Sequence, residues 1–222
     1  MGFQQVVIHT QPGEDVLVTS FTGTDENDFV ITVAPELSLS MGNGDDTVFS
    51  FGYRTYAIMG DGNDVALGGS AGYSSFLGGE GDDYLAVAGG DYNFLAGGNG
   101  ADILIGGAGK DFLYFDANDL FVFGGGGSDR FMFDSYHNGG IVGIADFDGT
   151  SPQHDILDLS VFAVLTKDDL SLFEYNGGQL LYVDGSATDD RPAVAIVGVD
   201  FFSIDQALSS GALFLGPFGG QG

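Results

Sequence analysis

Aspartates recur through the middle of the chain, and each follows a turn rich in glycine. The segments that carry them read GNGDDTV, GDGNDVA, GGEGDDYL, GGNGADIL, GGAGKDFL and GGGGSDRF. The last aspartates of these segments are Asp46, Asp64, Asp83, Asp102, Asp111 and Asp129. Carboxylates and glycine carbonyls are hard oxygen donors, which suit a divalent cation such as Ca²⁺ or Mg²⁺. The pattern therefore predicts that these turns bind a metal ion through oxygen.

The spacing of the aspartates divides them into two registers, since most lie 18 or 19 residues apart and Asp102 and Asp111 lie 9 apart. A unit of about nine residues provides one tight turn and one short strand, so two units close one coil of a solenoid. The sequence predicts an all-β fold, a right-handed parallel β-roll of nonapeptide repeats with two sheets and flanking capping strands. The first register comprises Asp46, Asp64, Asp83 and Asp102.

Degenerate copies extend both registers. Asp28 in DENDFVI precedes the first register and Asp119 in DANDLFV follows it, although both turns lack the usual glycines. In the second register, which holds Asp111 and Asp129, a constant interval of 18 residues places Ser75 and Asn93 at the aspartate position. We therefore expect the early coils of the second register to bind no metal.

The geometry of stacked strands favours calcium. Neighbouring strands lie about 4.8 Å apart, so an ion midway between two aspartates is about 2.4 Å from each, within the calcium–oxygen range. Mg²⁺ demands shorter contacts and keeps its waters. Without a metal, two carboxylates about 5 Å apart repel by about 3 kcal/mol at an effective dielectric constant of about 20.

These turns match the GGxGxDxUx motif, so the chain from residue 23 to about residue 133 resembles the RTX (repeats-in-toxin, hemolysin-type) calcium-binding family. The segment Ile144–Phe162 resembles the one that closes such repeats. The resemblance implies that the aspartate at the sixth repeat position of each turn binds Ca²⁺, at Asp28 and Asp119 as well. It also implies a ligand role for the carbonyls of the second and fourth positions: Gly42, Gly44, Gly60, Gly62, Gly79, Gly81, Gly98, Gly100, Gly107, Gly109, Gly125 and Gly127.

The composition describes a folded polyanion. Acidic residues outnumber basic ones by 32 to 5, for a net charge of -27, yet 44% of the residues are hydrophobic and 20 are Phe. Such a charge repels nucleic acid and anionic membranes, and no apolar run is long enough to span a bilayer. Cysteines are absent from the sequence, which excludes thiolate sites. The favoured partners are calcium ions.

The chain divides into three predicted segments. Residues 1–22 hold apolar runs at 6–8 and 16–18 that predict N-terminal capping strands, and residues 23–133 form the calcium-binding roll. Residues 134–222 form a C-terminal capping subdomain, in which LSLFEY, QLLYVDG and PAVAIVGV predict antiparallel strands. Ser203 and Gly211 are expected to bound a short helix.

Strand alternation assigns the eighth repeat position to the core. The predicted inward residues are Val30, Val48, Ala66, Leu85 and Leu104 in one sheet, and Leu77, Leu95, Leu113 and Phe131 in the other. The outward positions are unusually apolar: Phe29, Ile31, Phe49, Val65, Leu67, Tyr84, Ile103 and Ile105 in one sheet, and Phe76, Phe94 and Phe112 in the other. Three alternatives follow: flanking segments cover these faces, the faces mediate self-association, or they bind an extracellular polysaccharide.

Catalytic motifs are weak. Residues 68–72 read G-x-S-x-G, but the repeat resumes where a nucleophile elbow needs a helix. GAGKD departs from the phosphate-binding loop, and His9, His137 and His154 share no metal-ligand spacing. We therefore expect no enzyme activity in a chain that begins at Met1 and is expected to be complete.

The N-terminus shows no cleavable signal peptide, and GALFLGPFGGQG at the C-terminus is not a diagnostic signal. The resemblance implies type I secretion with an uncleaved C-terminal signal, and hence a secreted, extracellular or cell-surface location. One hypothesis is a structural protein that folds on Ca²⁺ and self-assembles in a surface layer, filament or biofilm matrix. The alternative is an accessory calcium-binding module of a secreted protease, lipase or polysaccharide-modifying enzyme.

Overall fold

The computed structural model of the chain shows a solenoid built from parallel β-strands. It describes residues 4–8, 20–70, 72–133, 140–162, 165–176, 178–184, 194–201 and 203–216.

Two parallel sheets form the body of the roll within these residues, with strands numbered in chain order. The first sheet contains, in spatial order, β1 (Gln4–Ile8), β3 (Asp28–Thr32), β5 (Thr47–Ser50), β7 (Val65–Gly68), β9 (Tyr84–Val87), β11 (Ile103–Ile105) and β13 (Phe121–Phe123). The second contains β2 (Ser20–Thr22), β4 (Leu37–Asn43), β6 (Thr55–Asp61), β8 (Ser75–Glu80), β10 (Phe94–Asn99), β12 (Phe112–Phe115), β14 (Arg130–Phe133), β16 (Ile156–Asp158) and β20 (Leu213–Phe214). Because successive strands of the roll alternate between the sheets, neighbours within a sheet are one coil apart. The parallel β-roll prediction is confirmed.

The register of the first sheet is the predicted one. Val48 pairs with Val30 and with Ala66, and Leu85 pairs with Ala66 and with Leu104. All five side chains are fully buried between the sheets. The inward and outward positions of this sheet were therefore predictable from strand alternation.

The register of the second sheet differs from the prediction at β8. Leu95 pairs with Phe76 rather than with Leu77, and Phe94 pairs with Ser75. Phe76 is consequently fully buried in the core, whereas Leu77 lies on the outer surface. In the predicted outward stack, Phe94 and Phe112 are indeed paired and outward, but the position of Phe76 was wrong. The coil from β8 to β10 has 19 residues instead of 18, and this shift of one residue reverses the predicted direction of every side chain in β8.

The C-terminal segment adds a third sheet. Its order is β15 (Gly140–Gly143), β19 (Val194–Val199), β18 (Gly178–Val183) and β17 (Leu170–Tyr175). The last three strands are antiparallel neighbours, as predicted. Helix α1 (Ile204–Ser210) begins after the N-cap Ser203, and a short 3₁₀ turn spans Lys167–Asp169. No helix in the described part of the chain is long and apolar enough to span a membrane.

Both ends of the chain join the roll. At the N-terminal end, β1 pairs with β3 and β2 with β4, while the strand predicted at residues 16–18 lies outside the described residues. At the C-terminal end, β16 and β20 extend the second sheet. Along the chain, the strands of the third sheet therefore lie between β14, β16 and β20, which all belong to the second sheet of the roll.

Candidate metal-binding edges

The aspartates of the first register line one edge of the roll, which we call the first edge. The backbone N–H of each residue donates to the Oδ1 atom of the aspartate one coil further along. The N–O distances in Å are 2.7 for Asp28–Asp46, 2.7 for Asp46–Asp64, 2.9 for Asp64–Asp83, 2.8 for Asp83–Asp102 and 3.2 for Asp102–Asp119. These carboxyl groups are buried although they stand at the turns. The first edge is thus a continuous row of carboxylates.

The opposite side carries a second row, the second edge, formed by Ser74, Asn93, Asp111, Asp129 and Asp155. The same hydrogen bond joins neighbours, at 2.9, 3.0, 2.8 and 2.8 Å in that order. Ser74, not the predicted Ser75, holds the aspartate position, because the coil from Ser74 to Asn93 has 19 residues.

Sequence reasoning missed Asp155 as a member of the second edge. It follows Asp129 after 26 residues instead of 18, so the regular interval does not reach it. The segment DILDL, in which apolar residues alternate after the aspartate, resembles the strands of the repeats and is the signal that could have identified it. Its carboxylate also accepts a hydrogen bond from the N–H of Asp148, at 2.9 Å.

Glycines shape the turns that hold these rows. All twelve glycines predicted at the second and fourth positions have positive φ in the structure. At Gly60, with φ 117°, a Cβ atom would lie 1.8 Å from the carbonyl oxygen of Gly42 in the neighbouring coil. No side chain fits there, so successive turns stack backbone on backbone.

Each row leaves carboxylate oxygens without partners. The buried atoms that accept no hydrogen bond are Oδ1 of Asp28 and Oδ2 of Asp46, Asp64, Asp83, Asp102 and Asp111. A buried oxygen without a partner costs about 1–3 kcal/mol, and more when it is charged. A bound cation at these positions would remove this cost.

A small space lies beside the unpartnered oxygens, at the first glycine of the turn. A Cβ atom on Gly78 would lie 2.1 Å from Asp83 Oδ2 and 2.4 Å from the carbonyl oxygen of Gly97. A Cβ atom on Gly106 would lie 2.9 Å from Asp111 Oδ2 and 2.6 Å from the Gly124 carbonyl oxygen. Carboxylate and carbonyl oxygens converge here, which fits a calcium ion and adds the first repeat position to the candidate ligands.

Side chains alone do not complete a metal site. Among the described residues, no three His, Cys, Asp or Glu side chains group together in a way that could hold an ion. A gap between two aspartates of a row offers only two carboxylates, so backbone carbonyls and water would have to complete the shell. Calcium accepts such mixed oxygen shells of irregular geometry more readily than Mg²⁺ does.

Burial opposes ionisation of the edge carboxyl groups. Desolvation is the largest cause of the raised pKa of these groups, and the charges of neighbouring carboxylates raise the pKa further. Hydrogen bonds from backbone N–H groups lower the pKa. Desolvation by burial also raises the pKa of Asp102 and Asp155. The pKa is raised to about 7 for Asp46, about 6 for Asp64, about 8 for Asp83, about 7 for Asp111, about 8 for Asp119 and about 7 for Asp129.

Ser70, the serine of the G-x-S-x-G segment, lies between β7 and β8. The nucleophile elbow requires a helix after the serine, and here a strand of the second sheet follows. His154 lies near the second edge, with Nδ1 3.2 Å from the Ser151 carbonyl oxygen, while His9 and His137 lie outside the described residues.

No protein-family model matches the chain, and no curated protein matches its sequence. The likeness to RTX repeats therefore rests on the motif in the sequence.

Substitutions on the first edge should differ in effect with their position. Asp83 has an aspartate on either side and an unpartnered Oδ2, whereas both oxygens of Asp119 accept backbone hydrogen bonds, from Asp102 and from Asp116. Asp83→Asn should raise the calcium concentration at half-folding by about tenfold, because it removes one charged contact with calcium. Asp119→Asn should raise it by much less. Calcium titrations followed by circular dichroism measure both midpoints, and equal shifts would contradict the assignment of the first edge.

Proposed function

We propose that the chain is a secreted, non-catalytic calcium-binding structural protein of the RTX type, which folds on Ca²⁺ and self-assembles outside the cell. The observation that carries this proposal is the set of buried carboxylate oxygens without partners along both edges. Bound calcium would supply the positive charge that these oxygens need.

The proposed ligands divide between the two edges. Asp46, Asp64, Asp83 and Asp102 would hold ions on the first edge, and Asp111 and Asp129 on the second. Glycine carbonyls of the stacked turns would contribute the remaining protein oxygens. Extracellular modules bind calcium at about 10⁻⁴ to 10⁻³ M, so the chain would stay unfolded in the cytosol and fold after export.

The outer faces of both sheets support self-assembly into a surface layer, filament or matrix. On the second sheet Tyr56 and Ile58 are 41% and 40% exposed, and the Phe94 and Tyr114 rings lie nearby with centroids 4.8 Å apart. On the first sheet Tyr84 and Phe121 are 37% and 38% exposed. A roll that presents aromatic side chains on two broad faces has surface suited to packing against further copies.

Calcium should therefore drive ordered self-association, because each ion removes two negative charges from a chain of net charge -27 while folding assembles the apolar faces. Light scattering with added calcium measures this. Phe94→Asp should abolish association while leaving the circular dichroism spectrum unchanged.

The matched control is Phe51→Asp, which removes an aromatic ring and adds the same charge in the turn after β5, away from both outer faces. It should associate as the wild type does. A calcium-loaded wild type that stays monomeric at high concentration would overturn the self-assembly and favour the accessory-module alternative.

A further inference from the structure

Asn93 is a member of the second edge whose side chain donates hydrogen bonds, both within its own turn and to the next coil. Its Nδ2 atom donates to Asp111 Oδ1 at 2.8 Å, to the Gly90 carbonyl oxygen at 3.1 Å and to the Gly89 carbonyl oxygen at 3.3 Å. The side chain is fully buried. These partners, a carboxylate and two turn carbonyls, are the kinds of oxygen that we propose bind calcium elsewhere on the edges.

The orientation of the amide follows from its surroundings. Its Oδ1 atom accepts the N–H of Ser74 at 2.9 Å, while three acceptors surround Nδ2. Rotating the amide by half a turn would set Oδ1 against three oxygens and Nδ2 against an N–H group. The two amide hydrogens therefore point to the place where the other coils converge oxygens.

Neighbouring turns of the second edge are also held by side chains. The Arg54 guanidinium lies over the rings of Tyr53 and Tyr73, at 5.4 and 5.6 Å from their centroids, and it pairs with Glu36 at 3.3 Å. The Tyr73 and Tyr92 rings follow one coil apart, with centroids separated by 6.2 Å. In the later coils of this edge the turns contain glycines instead.

We propose that the Asn93 amide is a built-in substitute for a bound cation, so that the coil between Asn93 and Asp111 is complete without calcium. The inference rests on the proposed calcium function and deepens it, since it divides the second edge into an early part independent of calcium and a later part that requires it. The neutral amide satisfies Asp111 Oδ1 at every calcium concentration, whereas Asp111 Oδ2 lies beside Gly106, where the Gly124 carbonyl oxygen of the next coil also lies.

The test compares how stability depends on calcium in three proteins. The slope of unfolding free energy against the logarithm of calcium concentration reports the number of ions bound on folding. Asn93→Asp restores the carboxylate of the other coils, and it should increase this slope by one ion and lower stability at the lowest calcium concentrations that still fold the wild type.

Asn93→Ser introduces the residue that this edge uses one coil earlier, at Ser74. It should lower stability by the same amount at every calcium concentration and leave the slope unchanged. Asn63→Asp is the matched control, because it makes the same chemical change at an exposed turn position next to Asp64, and its slope should equal that of the wild type.

The outcomes separate the two proposals. A wild type whose stability is independent of calcium contradicts the calcium function. A calcium-dependent wild type contradicts the role of Asn93 if Asn93→Ser loses one ion from the slope. The role of Asn93 is also contradicted if Asn93→Asp adds no ion to the slope, or if this variant does not fold in millimolar calcium.

Discussion

Removal of calcium with EGTA is expected to abolish the β-sheet signal of the roll in far-ultraviolet circular dichroism, and millimolar Ca²⁺ is expected to restore it. Neighbouring ionised carboxylates on an edge repel by about 3 kcal/mol per pair when no ion lies between them. The first edge alone contains the pairs formed by Asp28, Asp46, Asp64, Asp83 and Asp102. Their combined repulsion reaches the net stability of a typical domain, about 5–15 kcal/mol.

Two controls separate binding from screening. Mg²⁺ at the same concentration should not restore the spectrum, because it requires shorter contacts in an octahedral shell and gives up its waters reluctantly. NaCl at equal ionic strength should also fail, since screening acts weakly on buried pairs. A protein whose β content is unchanged in EGTA would show that the repulsion along the edges is smaller than about 3 kcal/mol per pair.

A fall in pH should fold the roll in the absence of calcium. In calcium-free buffer the chain is expected to be unfolded near pH 8 and to regain β structure as the pH falls to about 5. Folding raises the pKa of the edge aspartates from 3.8 to values such as about 8 for Asp83 and about 7 for Asp111, so between these values the folded state binds more protons than the unfolded state. Its stability therefore rises as the pH falls through this window and declines as the pH rises.

The size of the effect follows from the shifts. Three pKa units correspond to about 4 kcal/mol for one group, and several groups on each edge contribute. Circular dichroism after exhaustive dialysis measures the transition, above the isoelectric pH of about 4.1. Calcium should bind more weakly as the pH falls, because protons compete for the same oxygens. A β signal independent of pH between 8 and 5 in calcium-free buffer would contradict the prediction.

The period of the roll could be predicted because glycine and aspartate have positional roles that tolerate few replacements. Gly60 illustrates this, since its neighbour's carbonyl oxygen leaves no room for a Cβ atom. The outward and inward assignments of the first sheet followed from the same period. Nothing comparable marks the coil that contains Ser74, where the ligand residue is replaced and the turn has gained one residue.

The place of Asp155 in the second edge does not follow from the regular interval, for a different reason. The strand β15, which belongs to the third sheet, interrupts the regular interval between Asp129 and Asp155. The structure shows that the chain returns to the roll at β16, which pairs with β14. The amide contacts of Asn93 were also unpredictable, because their direction depends on how neighbouring coils stack.

The hydrogen bonds along both edges run in one direction. In every coil the backbone N–H finds its acceptor in the carboxylate or amide of the coil that follows it in the chain, from Asp28 to Asp119 and from Ser74 to Asp155. The backbone N–H at the edge of a coil thus has its acceptor only when the next coil toward the C-terminus is folded. The roll therefore has a polarity: its C-terminal end lies where Asp155 precedes β16, and we expect folding to proceed from there toward the N-terminus.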